Sequence, residues 1–280
     1  MSKLNSLDEN LDDVILTEEI KDASSKSINK SPSISKPKPK PNTCLAKIYD
    51  IMNHYEIGID EAGRGPLFGR LYVAATVLPK DDSFEHTKMR DSKTIKSRKK
   101  IQEIANYIKS NAIAWHIEYV DASVIDTINI RQAVLMAMHE CAKQIMVQCD
   151  RLSDIIPLSK SDNSTNNKYM LLVDGNDFTP HMVFDEITQE LHEIPYETIE
   201  GGDNKYTCIA AASILAKNER DTYIEELCET YPLLNERYGL AKNMGYGTKT
   251  HRDGIEEYGI SQWHRKTYGL CKIAKYCPLL

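Results

Sequence analysis

Apolar and polar positions change period several times along the chain, and each change marks an element. Tyr55–Asp60 (YEIGID) puts Ile57 and Ile59 on one face, the period-two pattern of a short strand. Leu71–Leu78 (LYVAATVL) is apolar throughout, as a buried strand is. Ala112–Val120 (AIAWHIEYV) predicts a third strand. Tyr169–Val173 (YMLLV) predicts a fourth, ending at Asp174-Gly175. Glu197–Glu200 is a weak fifth, ending in Gly201-Gly202-Asp203. Helices are predicted over 94–109, 129–148 and 206–228. In the second, Ile130, Val134, Ala137, Cys141 and Ile145 keep the 3.6-residue period. In the third, Ala210-Ala211-Ala212 allows close backbone packing. Residues 152–168, with the polar run SKSDNSTNNK, predict a surface loop. The rest, to Leu280, reads as helical patches joined by Gly-rich turns. Strands interleaved with helices predict an α/β fold, a mixed sheet with helices on its faces.

The chain changes character near residue 53. Residues 8–22 carry seven acids, and residues 23–43 are rich in Ser, Lys and Pro, ending in a Lys-Pro alternation. Pro blocks helix and ladder bonds, and few apolar groups offset the chain entropy. The expectation is a mostly disordered tail over 1–52. Leu4, Leu7, Leu11 and Ile15 have helical spacing, so a protein partner could order that stretch; a solubilising arm is the plainer reading.

No run approaches 18 apolar residues, and the first residues are acidic without an apolar core, so no membrane span or secretory signal is expected. Seven scattered cysteines form no CxxC pair, which points to reduced thiols in the cytoplasm or nucleus. Lys and Arg number 35 against 41 Asp and Glu, a net charge of −6. That excludes a globally basic nucleic-acid binder but not a local basic face. Residues 88–100 hold seven bases and one acid.

The acids fall where strands end. Asp60 and Glu61 close the first strand, Asp174 the fourth and Asp203 the weak fifth. Strand carboxyl ends are where ligands bind open α/β sheets. Crowded carboxylates raise each other's pKa unless a cation neutralises them, and a hard divalent ion takes oxygen ligands. Any one Asp at a strand end is more often a turn or cap residue than a ligand. Asp60-Glu61 differs because Ala62-Gly63-Arg64-Gly65-Pro66 follows. Two glycines flanking one arginine permit close backbone approach to a ligand, and Arg64 can reach a phosphate bidentately.

The motifs GIDEAGRGPLFG (58–69), Asp91-Ser92-Lys93, Val173-Asp174-Gly175-Asn176, Gly202-Asp203, IAAASILAKNERD (209–221), Gly245-Tyr246-Gly247-Thr248 and His264-Arg265-Lys266-Thr267-Tyr268 occur in one order. Together they resemble the type 2 ribonuclease H family, ribonuclease HII, over about residues 55–272. The resemblance implies a ribonuclease H-like five-stranded mixed sheet flanked by helices, with a C-terminal helical extension. The implied division is a core over 53–220 and a helical region over 221–280. It implies cleavage of the RNA strand of RNA-DNA hybrids, and of duplex DNA at single embedded ribonucleotides, leaving 3′-OH and 5′-phosphate ends. Two divalent ions, Mg²⁺ or Mn²⁺, would be held by Asp60, Glu61, Asp174 and Asp203. Gly63, Arg64 and Gly65 would read the ribose 2′-OH and adjoining phosphates. Tyr246 would stack on the sugar beside the scissile bond, and Lys93 and Lys217 would contact phosphates. Asp221 matches a non-catalytic position and reads as an intrahelical salt-bridge partner.

The sequence departs from the family pattern at Phe68, Gly247 and Thr267-Tyr268, in the 152–168 insertion and in the tail. None of these touches a carboxylate. Trp115 and Trp263 read as packing residues, and His251 and His264 as loop or core histidines. A monomer is expected. Two other readings stand beside this one: another ribonuclease H-fold metal nuclease, such as a junction resolvase, and a non-catalytic nucleic-acid-binding subunit.

Overall fold

The apolar runs pair with one another. In the computed structural model, which describes residues 44–90, 92, 95, 97–155, 168–186 and 188–279, they form one five-stranded sheet. Strands β1 (Tyr55–Ala62), β2 (Leu71–Val77) and β3 (Ala114–Val120) run as an antiparallel meander. β4 (Tyr169–Asp174) lies parallel to β1 on its other side. Two further strands, β5 (His181–Asp185) and β6 (Glu190–Ile194), form a separate hairpin. β7 (Tyr196–Ile199) then completes the main sheet beside β4, parallel to it. The order is β3-β2-β1-β4-β7, the mixed sheet expected.

Alternation within β1 sorts its residues to two buried layers. Ile57 and Ile59 join Leu171 and Val173 of β4 in the core under helix α3 (Ile130–Ile155). Helix α2 (Ala122–Ile128) precedes it. The opposite face packs on α1 (Arg98–Asn111) and α4 (Thr207–Thr230). There, a Cβ on Gly58 would stand 2.3 Å from the Cys208 carbonyl carbon, so α4 crosses β1 backbone to backbone. Cys208, Ile209 and the three alanines after it are fully or almost fully buried, which explains why no polar stripe interrupts this part of α4. The third core joins α5 (Pro232–Tyr238), α6 (Leu240–Asn243) and α7 (Lys249–Tyr258) to Phe68 and Ile224. All seven cysteines are free. Among the described residues no helix is long and apolar enough to cross a membrane.

Several boundaries move. β1 continues through Ala62, so Asp60 and Glu61 lie inside the strand rather than closing it. Asp203 sits in a short 3-10 turn, Gly202–Asn204, beyond the end of β7. α3 extends to Ile155 and takes the first part of the expected 152–168 loop; 156–167 lie outside the described residues. The described compact unit includes residues from Cys44 on, ahead of the expected boundary at 53. Its first residues are tied in: Ala46 N–H donates to the Lys205 carbonyl and Thr207 N–H to the Ala46 carbonyl. Of the expected tail over 1–52, residues 1–43 lie outside the described residues. The division expected between 220 and 221 falls within α4, so one helix serves both parts.

Candidate active site

The register of the two central strands brings the acids together. β1 and β4 are parallel, and their last paired residues are Ile59 and Val173. One residue further on, Asp60 and Asp174 stand on the α4 face of adjacent strands, opposite in parity to the apolar layer under α3. Glu61 follows, one residue before the end of β1. These three carboxylates line one open cavity of about 460 Å³. Asp60 is 5% exposed and accepts from the Glu61 N–H at 2.7 Å. The Ser213 hydroxyl of α4, 3.0 Å from that of Ser92, favours the charged form of Asp60. Asp174 accepts from the Gly202 N–H at 2.6 Å, which ties the 3-10 turn bearing Asp203 to the end of β4. Asp203 is buried, accepts from Asn204 Nδ2 at 2.9 Å, and is not among the residues lining the cavity.

Burial pushes the Asp60 carboxyl well above the usual carboxylate range, and the charges of Glu61 and Asp174 add to the rise. Glu61 is raised too, by burial and by Asp174, against the pull of Arg64. The donor set is all oxygen, crowded, and short of positive charge, which fits a hard divalent ion. Among the described residues, no group of three or more His, Cys, Asp or Glu side chains is arranged as a ready-made metal cage. Asp60, Glu61 and Asp174 are the lining carboxylates not bridged to Lys217, and Asp203 lies buried in the turn tied to Asp174.

Basic side chains line the same cavity. Arg64 Nη1 lies 3.7 Å from Glu61 Oε1, and the Arg64 side chain is 45% exposed. Gly63 takes φ +97°, and a Cβ there would meet Arg220 Nε at 2.6 Å, so both conformation and space demand glycine. Gly65 is different. A Cβ there would meet only Tyr246 Cε1, at 4.0 Å. Its lack of a side chain opens the cavity rather than relieving a clash. Tyr246, half exposed, stands over this opening, with the Arg220 guanidinium 5.3 Å from its ring centre. Lys217 reaches the cavity and bridges Asp221 at 2.7 Å, one turn along α4. Asp221 is therefore the intrahelical partner expected. Lys93 lies outside the described residues.

Four residues missed by the sequence reading hold this part of the cavity in place. Arg265 is fully buried and donates to three carbonyls: Gly69 at 3.0 Å, Arg64 at 3.1 Å and Gly63 at 2.6 Å. The Tyr268 hydroxyl, a departure from the family pattern, adds a second bond to the Arg64 carbonyl at 3.1 Å. Arg220 donates to the Met244 carbonyl and so links the glycine turn to the loop carrying Tyr246. Asp126 accepts from the backbone N–H groups of Lys266 and Thr267 and fixes the segment that carries Arg265. The motif string drew attention to 264–268, but their backbone partners lie far away in sequence. Trp115 and Trp263 are packing residues, as expected. Of the basic run at 88–100, Arg98 is engaged by Glu225, Asn218 and Thr222 of α4.

A mixed five-stranded sheet with carboxylates on its two central parallel strands, capped by helices, defines the class: a hydrolase of the ribonuclease H-like fold. The family model described as Ribonuclease HII matches residues 57–271, and the chain belongs to that family, the type 2 ribonucleases H. It is 40% identical to a ribonuclease HII of Parabacteroides distasonis over 215 residues, 77% of this chain and 90% of that one. It is 38% identical to one of Oceanobacillus iheyensis over 237 residues, 85% of this chain and 76% of that one. Among solved structures, the fold is similar to a chain in a PCNA:RNase HII complex from Archaeoglobus fulgidus. The TM-score is 0.53 at 23% identity, covering 77% of this chain and 96% of that one.

Proposed function

We propose that the chain hydrolyses the RNA strand of RNA-DNA hybrids, and cuts duplex DNA at single embedded ribonucleotides, with two divalent ions and as a monomer. The products would carry 3′-OH and 5′-phosphate ends. The observation that carries this reading is one cavity lined both by the carboxylates Asp60, Glu61 and Asp174 and by the bases Arg64, Lys217 and Arg220, with Asp221 bridged to Lys217. The carboxylates suit a metal-bound reaction centre, and the bases suit the phosphates on either side of it.

Asp60, Glu61, Asp174 and Asp203 would hold Mg²⁺ or Mn²⁺, which when bound lowers the pKa of water and stabilises developing charge on phosphate oxygens. The chain's own residues do the rest. Buried Asp60, held by the Glu61 N–H, is kept from turning away from the cavity. Arg64 neutralises a substrate phosphate and withdraws from Glu61 to do so. Gly63 and Gly65 bring backbone close to the sugar, where a 2′-OH separates RNA from DNA. The Tyr246 ring stacks on that sugar.

The test is a cleavage assay on duplex DNA containing one ribonucleotide, with and without divalent ions. Metal-dependent incision at the ribonucleotide is expected. Cleavage of an all-DNA junction with the ribonucleotide substrate left whole would select a different nuclease. Binding without cleavage under every metal condition would select a non-catalytic subunit.

A further inference from the structure

Behind Tyr246 runs a chain of buried polar groups that neither the carboxylates nor the glycine turn requires. His251 and His264 are 0% and 1% exposed, and their Nε2 atoms lie 3.1 Å apart. The groups at each end decide which nitrogen carries each proton. The Ser261 N–H donates to His264 Nδ1 at 3.0 Å, so that nitrogen accepts and the proton of the neutral ring sits on Nε2. The Tyr246 carbonyl can only accept, so His251 Nδ1, 3.0 Å away, carries its proton. His264 Nε2–H therefore donates to His251 Nε2. Both ends demand the same direction, and one arrangement of protons satisfies every bond.

The surroundings hold the rings still and neutral. Tyr238 and Phe68 pack edge-on against His264, with ring centres 4.8 and 4.9 Å away. Burial lowers the pKa of both imidazoles, that of His264 to about 3 with His251 beside it. A proton added at His264 Nδ1 would point at the Ser261 N–H, with only the Ser261 hydroxyl, 2.9 Å away, left to accept it. At its far end the relay meets the Tyr246 carbonyl, which also accepts from the Thr248 N–H at 2.7 Å. The residue it grips is the one whose half-exposed ring stands over Gly65.

We propose that His251 and His264 are positioning residues: a two-imidazole relay that fixes the Tyr246 backbone and so aims its ring at the ribonucleotide sugar. The proposal rests on the proposed stacking of Tyr246 on that sugar. Its first test does not depend on activity. Nitrogen-15 NMR of histidine-labelled protein at neutral pH should show His251 as the Nδ1–H tautomer and His264 as the Nε2–H tautomer. Either ring in the opposite tautomer, or protonated, overturns the relay.

The second test is a double-mutant cycle. His251→Leu and His251→Asn differ little in size, but only Asn keeps a donor near the Tyr246 carbonyl. His251→Leu should lower kcat/KM on the embedded-ribonucleotide duplex by about tenfold, since small misplacements are costly. His251→Asn should restore most of that loss. In a Tyr246→Ala background, His251→Leu should cost nothing more. Equal losses in both backgrounds, or no difference between Leu and Asn, would make the pair merely structural. Should His251→Leu not fold, His264→Gln takes its place in the same cycle: a loss confined to the Tyr246 background supports the relay, and equal losses in both overturn it. A wild-type chain that leaves the substrate whole sinks the proposed function, while the tautomers still decide the relay.

Discussion

Asp60 and Asp174 stand on strands whose neighbouring positions are apolar and fully buried, whereas Tyr246 and the glycine turn stand on loops held through buried polar side chains. On the sheet side, Ile57, Ile59, Leu171 and Val173 are 0% exposed, and strand pairing sets the register. On the other side, Arg265, Arg220 and the His251–His264 pair grip backbone carbonyls. Apolar packing fixes where a strand lies but is indifferent to a charge at its end. Hydrogen-bond clamps fix a loop only while every donor is present, because a buried acceptor left alone costs more than the bond contributed. The two parts of one cavity should therefore fail differently.

The largest contrast is expected at Asp60. Replacing it by Asn should reduce metal-dependent cleavage by more than about a thousandfold. The fold should not suffer, because a buried charge beside two other carboxylates is removed. Tm should rise by about 2–4 °C, the equivalent of about 1 kcal/mol for a chain of this size. A lower Tm would show that Asp60 is structural. Arg265→Met should do the reverse. It takes the Arg265 donors from the Gly63 and Gly69 carbonyls and leaves the Arg64 carbonyl to Tyr268 alone, and should cost about 3 kcal/mol or more, lowering Tm as well as activity. An unchanged melt would break the comparison.

Acid should weaken the C-terminal side. His264 is neutral in the fold down to about pH 3, whereas the unfolded chain takes up its proton near pH 6.5. The unfolded state thus binds more protons, so this group lowers stability as pH falls from about 6.5 towards 3. The slope is at most about 1.4 kcal/mol per pH unit. Urea melts at pH 7 and 5 should show the loss, and His264→Gln should flatten it. The smallest effect is expected at Lys217. Its bridge to Asp221 is partly exposed, so Lys217→Ala should change stability by less than about 1 kcal/mol. The salt slope of hybrid binding should fall by about one. No change in slope would remove Lys217 from the phosphate path.

What was legible in the sequence follows the same divide. YEIGID, LYVAATVL and YMLLV announce buried strands because burial demands apolar residues at every second position or throughout. The acids at their ends were visible as interruptions of those runs. The β5–β6 hairpin was not visible, because most of its residues are exposed and no period is imposed on them. Met182, Phe184 and Leu191 are 47%, 52% and 63% exposed. The clamps were hidden for another reason. Arg265 and its carbonyl partners are about 200 positions apart, and a backbone carbonyl leaves no mark on composition. His251 and His264 read as core histidines, which they are; their proton order exists only once Ser261 and Tyr246 are placed. Asp203 was marked by motif alone, and its position in a 3-10 turn tied to Asp174 depends on the Gly202 bond.

The central claim is that carboxylates from β1, β4 and the turn after β7 form one metal-holding group. Titration of Mn²⁺ into the full chain, followed by calorimetry, tests it without any substrate. Two bound ions per wild-type chain are predicted, with affinity at least about tenfold weaker in both Asp60→Asn and Asp174→Asn. Binding left unchanged by either substitution would contradict the account.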